Sequence, residues 1–176
     1  MTTLAELGPR ICIMGPSNSG KSTLAVAIAQ RSQLPVIHLD QLFHQPHSNW
    51  QPRPEAEFLQ LHDAAIDQQQ WVMEGNYSRS LPQRLHRATG FILLDLPTAT
   101  SLYRYFRRTW FERTRHGALA GNKDSVRWEM IHHIGVVTRR NRRSYAALYA
   151  RIALPKLRLA SRRELDRFYH AEALHR

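Results

Sequence analysis

The stretch Gly15-Pro16-Ser17-Asn18-Ser19-Gly20-Lys21-Ser22 decides the fold. It has the spacing G-x-x-x-x-G-K-[ST]. It lies between an apolar run, Arg10 to Gly15 (RICIMG), and a segment with helical spacing at Leu24, Ala25, Ile28 and Ala29. Strand, glycine-bounded loop and helix in that order are what an anion cradle needs. Gly15 and Gly20 let the main chain turn tightly and approach closely where a Cβ would intrude. The helix starting near Lys21 directs its unpaired N–H groups and partial positive charge at the loop. Lys21 is expected to bridge β and γ phosphate oxygens, and the Ser22 hydroxyl to ligate Mg²⁺. Gly15, Pro16, Ser17, Asn18, Ser19, Gly20, Lys21, Ser22 and Thr23 therefore read as the contact surface for ATP with Mg²⁺.

Outward from this loop, Pro35 to Leu39 reads as a second strand ending at Asp40, and Asp40 to Pro54 (DQLFHQPHSNWQPRP), with its three prolines, as irregular structure. Glu55 to Gln69 has helical spacing at Phe58, Leu59, His62, Ala65 and Ile66, and Trp71 to Glu74 is a third short strand. Phe91 to Leu96 (FILLDL) is an almost unbroken apolar run of strand length, closed by Pro97, as expected of a strand buried on both faces. Residues 98–115 and 124–150 read as Arg-rich helices separated by GALAGNKD. A last strand near Lys156 to Leu159 leads into a helix from Ser161. Strands alternating with helices predict a doubly wound α/β domain. With 176 residues, no internal repeat and no long linker, a single domain over residues 1–176 is expected.

Composition bounds the rest. No apolar run approaches the length of a membrane span, the N-terminus lacks a signal-peptide core, and the single cysteine, Cys12, cannot form an internal disulfide. A cytoplasmic protein without membrane contact is the expectation, with Cys12 a small buried hydrophobe, and monomer and homodimer both left open. The net charge of +11 is uneven: residues 1–100 hold 7 basic and 8 acidic side chains, whereas residues 101–176 hold 18 basic and 6 acidic. Most of the latter are Arg, whose planar fork matches phosphate oxygens, so the basic C-terminal part points to polyphosphate or nucleic acid, or to a solvated face.

In a sheet of this kind polar residues at the carboxyl ends of strands line the crevice. Asp40, after the second strand, could take the proton of an acceptor hydroxyl, hold a water on Mg²⁺, or brace a loop. Glu74, after the third, could orient Mg²⁺-bound water, with Gly75 giving the backbone room; Asp95, ending the fourth, is the alternative acid for that outer shell. Arg79 reads either as a clamp for an anionic acceptor or as a surface residue. Trp50, with Phe43 and Tyr77, could stack on an acceptor ring or cover a core edge.

The phosphate loop, HLDQLFH followed by NW, WVMEGNYS, FILLDLP, RTRHG and the closing SRREL together resemble the bacterial topology modulation proteins, which are grouped with adenylate kinase and related kinases. The likeness spans nearly the whole chain. It implies a P-loop NTPase fold of three α/β/α layers, with a five-stranded parallel sheet and an Arg-rich helical lid over about residues 104–145. It also implies an acceptor region between the second and third strands, where Asp40, Trp50, Glu74, Gly75, Asn76 and Arg79 fall. Glu74-Gly75 takes the place of the Asp-Gly of nucleotide kinases, and Arg79 is offset by one position from their acceptor-phosphate Arg. Within the lid, Arg104, Arg107 and Arg108 fall at helical spacings. The resemblance implies one lid Arg over the adenine and another against the transferring phosphoryl group, with Arg104 and Arg108 the first candidates and Arg113 and Arg115 the next.

Arg139, Arg140, Arg142 and Arg143 read as a solvated face or polyanion contact rather than as catalytic groups. The ten histidines, without cysteine partners, do not make a zinc site. The functional expectation is an ATP-dependent phosphotransferase with Lys21, Asp40, Arg104 and Arg108 catalytic and a small-molecule or nucleotide acceptor. The alternative is a nucleic-acid-binding ATPase.

Overall fold

A computed structural model describes residues 2–48, 50–97 and 138–175. After a one-turn helix α1 (Leu4–Leu7), the chain runs β1 (Arg10–Met14), α2 (Lys21–Ser32), β2 (Val36–His38), α3 (Leu39–Phe43), α4 (Glu55–Ile66), β3 (Trp71–Glu74), α5 (Leu81–Arg87) and β4 (Gly90–Leu94). The described C-terminal part adds α6 (Thr138–Arg151), β5 (Lys156–Leu159) and α7 (Arg162–Ala171). The five strands form one parallel sheet in the order β2-β3-β1-β4-β5. The strand order reverses around β1, and the glycine-bounded loop leaves β1 at its carboxyl end.

Alternation along the strands explains the layers, because successive side chains point to opposite faces. Ile11, Ile13, Val72, Ile92 and Leu94 pack with Leu24 and Ile28 of α2 and with Leu165 and Phe168 of α7. Cys12, Met14, Trp71, Met73, Phe91 and Leu93 face the other way, onto Phe58 and Ile66 of α4, with Leu85 of α5 and Tyr149 of α6 against them. Both faces are thus covered, as a parallel sheet requires. At α7, Ser161 accepts the Glu164 amide N–H while the Glu164 side chain accepts the Ala160 N–H. These contacts satisfy two otherwise orphaned donors.

Several expectations need correction. Residues 40–43 are helical, not irregular, so Asp40 lies in the first turn of α3 rather than at a strand end. Apolar Leu39, Leu42 and Phe43 pack inward and stabilise a turn whose local composition reads as loop. The loop beyond is pinched by a bridge between His44 and Pro52. The helices α1 and α5 are too short to show apolar periodicity. Of the Arg-rich region, only α6 is described; Arg104, Arg108, Arg113, Arg115 and the helix expected over 98–115 lie outside the described residues. Among the described residues no helix is long and apolar enough to cross a membrane.

Candidate active site

The loop after β1 is held by geometry that only its own sequence permits. Gly15 has φ of 152°, and a Cβ there would collide with the Leu94 carbonyl oxygen and sit 3.0 Å from Leu94 Cβ. Asn18 and Gly20 adopt left-handed conformations (φ 59° and 97°), with the Ser19 amide bonded to the Pro16 carbonyl between them. Gly20 caps α2 without a side chain, so the first-turn amides of that helix have no side-chain acceptor from their cap. Lys21 Nζ donates to the Pro16 carbonyl at 2.9 Å, lying across the loop. Asn76 fixes the loop from the side: its Nδ2 donates to the Gly15 carbonyl at 2.8 Å, and its Oδ1 accepts the Gly15 N–H at 3.2 Å.

Glu74 ends β3 beside the loop, in register with Ile13 of β1 and His38 of β2. One carboxylate oxygen, Oε1, accepts the Ser22 hydroxyl and His38 Nδ1–H, each at 2.9 Å. Burial alone would raise the Glu74 carboxyl. The hydrogen bond from His38, the Lys21 charge and the Ser22 hydroxyl outweigh it and hold the group below its ordinary value. A buried, ionised carboxylate and a hydroxyl side by side are hard oxygen donors of the kind a magnesium ion takes. No cluster of three or more His, Cys, Asp and Glu residues suited to a metal forms among the described residues.

Across the same strand ends, Tyr77 donates its hydroxyl to Asp40 Oδ1 at 2.7 Å. Burial and the Asp40 charge push the Tyr77 phenol far up, so it stays protonated and donating. Its ring packs 4.8 Å from Phe43 and 5.4 Å from Phe58, while Trp50 sits edge-on to His44 at 5.2 Å. The aromatic residues thus cover a core edge and at the same time line the Asp40 turn. Adjacent residues Asn76 and Tyr77 hold the phosphate loop and the Asp40 carboxylate respectively.

The turn that carries both is set by two residues. Gly75 has φ of 137°, and a Cβ would lie 2.8 Å from Leu39 Cβ, immediately before Asp40. Gly75→Ala is therefore expected to cost about 2 kcal/mol and lower Tm by about 4–8 °C, checked by calorimetric melting. Arg84, fully buried, donates to the Gly75 and Tyr77 carbonyls at 3.2 and 3.1 Å. Arg79 is 76% exposed and paired with Glu55.

Asp95, the other acid considered for the metal's outer shell, has both carboxylate oxygens engaged. Arg142 Nε donates to Oδ1 at 2.6 Å, and Arg158 Nη2 to Oδ2 at 2.5 Å. Arg142 is thereby a tether of α6 to the sheet and not a member of a solvated face; Arg143 beside it is exposed. Burial would raise the Asp95 carboxyl, but the two guanidinium groups hold it below the usual carboxylate range. Its ionised form thus stabilises the fold above the unfolded value of about 4, and that contribution is lost as pH falls through the lower folded value. Asp95→Asn is expected to lower stability in urea at pH 7 and to flatten its decline as the pH falls below about 4.

Sequence reasoning missed His38, Arg84 and Arg158, and read Arg142 as part of a solvated face or polyanion contact. His38 had a signal, being the residue level with Glu74 once β2 and β3 are paired; a buried Arg in a short helix had none.

A parallel sheet ordered β2-β3-β1-β4-β5, with helices on both faces and a glycine-bounded loop leaving β1, is the P-loop kinase fold. Among solved structures the chain is similar to shikimate kinase from Acinetobacter baumannii in complex with shikimate, with 15% identity, a TM-score of 0.58 and coverage of 94% of this chain and 92% of that one. It is also similar to a gluconokinase from Sinorhizobium meliloti 1021, with 16% identity, a TM-score of 0.52 and coverage of 96% and 91%. A sugar kinase from Janibacter sp. HTCC2649 gives 16% identity, a TM-score of 0.50 and coverage of 93% and 91%. No protein-family model matches the chain, and no curated protein matches its sequence.

Proposed function

We propose that the protein is a single-domain ATP-dependent phosphotransferase of the kind suggested by its likeness to the topology modulation proteins, acting on a small acceptor. The observation that carries this reading is the pairing of Asn76 with Gly15 and of Tyr77 with Asp40. One short turn thereby positions a phosphate cradle and a carboxylate together, as transfer from a triphosphate to a hydroxyl demands.

Gly15 to Thr23 bind the triphosphate, with Lys21 leaving the Pro16 carbonyl for the β and γ oxygens. Ser22 would hold magnesium and Glu74 would orient its water; the ion, when bound, neutralises charge on the triphosphate. The acceptor hydroxyl oxygen forms a bond to the γ-phosphorus, the bond from that phosphorus to the β,γ-bridging oxygen breaks, and ADP leaves. The acceptor proton passes to the Asp40 carboxylate, whose other oxygen is fixed by Tyr77. Trp50, Gly75 and Asn76 shape the acceptor side, and Arg104 and Arg108 are assigned to the phosphoryl group in flight.

The reading is tested by incubating the protein with Mg·ATP and a panel of nucleosides, nucleotides, sugars and oligonucleotides. Release of ADP that requires one class of acceptor is expected. ADP release independent of every acceptor, or none at all, would refute it.

A further inference from the structure

Building on the phosphotransferase reading, we propose that Arg84 is a positioning residue for both substrates, its guanidinium orienting Asn76 toward the phosphate loop and Tyr77 toward Asp40. The side chain is fully buried, in the short helix α5 beside Leu81, Leu85 and Ala88 of an apolar cluster. Its Nε has no hydrogen-bond partner among the described residues, and burial lowers its pKa, Cys12 and Glu74 opposing only in part. Such a site disfavours a cation, and an apolar side chain would fill it at lower cost. What arginine supplies there is a planar fork of donors. Nη1 donates to the Gly75 carbonyl at 3.2 Å and Nη2 to the Tyr77 carbonyl at 3.1 Å.

The peptide after Gly75 and the peptide after Tyr77 are thereby both held, and the two side chains that leave the backbone between them have set directions. Asn76 takes the N–H and the carbonyl of Gly15 at 3.2 and 2.8 Å, and Tyr77 takes Asp40 Oδ1 at 2.7 Å. Gly75, at φ 137°, has no side chain to limit its rotation, so the peptide after it gains restraint from the Arg84 bond. A misplacement of about 1 Å in such a turn is enough to cost about a hundredfold in a transfer step.

The test uses Arg84→Lys, which keeps the charge and loses the fork, and Arg84→Met, which loses both. Each is made in the wild type and in the double variant Asn76→Ala/Tyr77→Phe, which keeps the carbonyls that Arg84 holds and removes the side-chain groups it orients. Titration with Mg·ATP gives donor affinity and ADP formation with the best acceptor gives turnover, both read below the onset of melting. In the wild-type background both substitutions are expected to weaken Mg·ATP binding by about tenfold and to lower turnover by about a hundredfold. In the double variant they are expected to change either quantity by less than about twofold, while lowering Tm as much as they do in the wild type. A solely structural arginine would lower Tm in both backgrounds and leave the affinity and turnover of the folded protein unchanged, which overturns the proposal. So do full activity of Arg84→Lys, equal functional losses in both backgrounds, or failure of both substitutions to fold in the wild-type background. Mg·ATP binding by the wild type without acceptor-dependent ADP formation refutes the phosphotransferase reading instead, and the affinities still decide the role of Arg84 at the loop. Absence of Mg·ATP binding by the wild type overturns both.

Discussion

Replacing Lys21 with alanine is expected to lower turnover by about a hundredfold or more. The ammonium rests on the Pro16 carbonyl, a contact the loop does not need for its shape, since Asn76 clamps Gly15 and the Ser19 amide closes the turn. Little stability should be lost. What disappears is a positive charge near phosphoryl oxygens whose negative charge redistributes during transfer, so the loss falls on kcat more than on nucleotide affinity. Steady-state kinetics with the best acceptor, together with a melting curve, separates the two. Unchanged turnover would remove Lys21 from the mechanism.

Asp40→Asn is expected to keep ATP affinity within about twofold while transfer falls by about two to four orders of magnitude. Asparagine has the same volume, and its amide oxygen can still accept from the Tyr77 hydroxyl, so the α3 turn is retained. It cannot accept the acceptor proton. Titration with ATP and a single-turnover measurement on the same sample distinguish the roles: parallel loss of binding and transfer would make Asp40 a structural brace.

The parts of the fold that could be read from sequence were those where one physical rule dominates. Arg10 to Met14 and Gly90 to Leu94 are buried on both faces, so their apolar runs are nearly unbroken; Lys21 to Ser32 shows its helical face plainly. Residues 40–43 deceived because their helix is fixed by tertiary burial of Leu39, Leu42 and Phe43 rather than by local propensity. The cradle announces itself because its glycines, lysine and serine are contiguous. The rest of the site does not, because its contacts join residues far apart in sequence. Ser22 meets Glu74, Asn76 meets Gly15, and Asp40 meets Tyr77 only after the sheet orders its strands as β2-β3-β1. Arg142 reads as one more charge in a basic run, since nothing local says that Asp95, at the end of β4, will claim it.

Isothermal titration of the protein with Mg·ATP tests the central claim most directly. One site per chain is expected, with affinity weakened in an Asn76→Ala variant that removes the two bonds holding Gly15. Absence of binding heat across a range of temperatures, confirmed by no shift in melting temperature on adding Mg·ATP, would contradict the assignment of residues 15–22 as a triphosphate cradle.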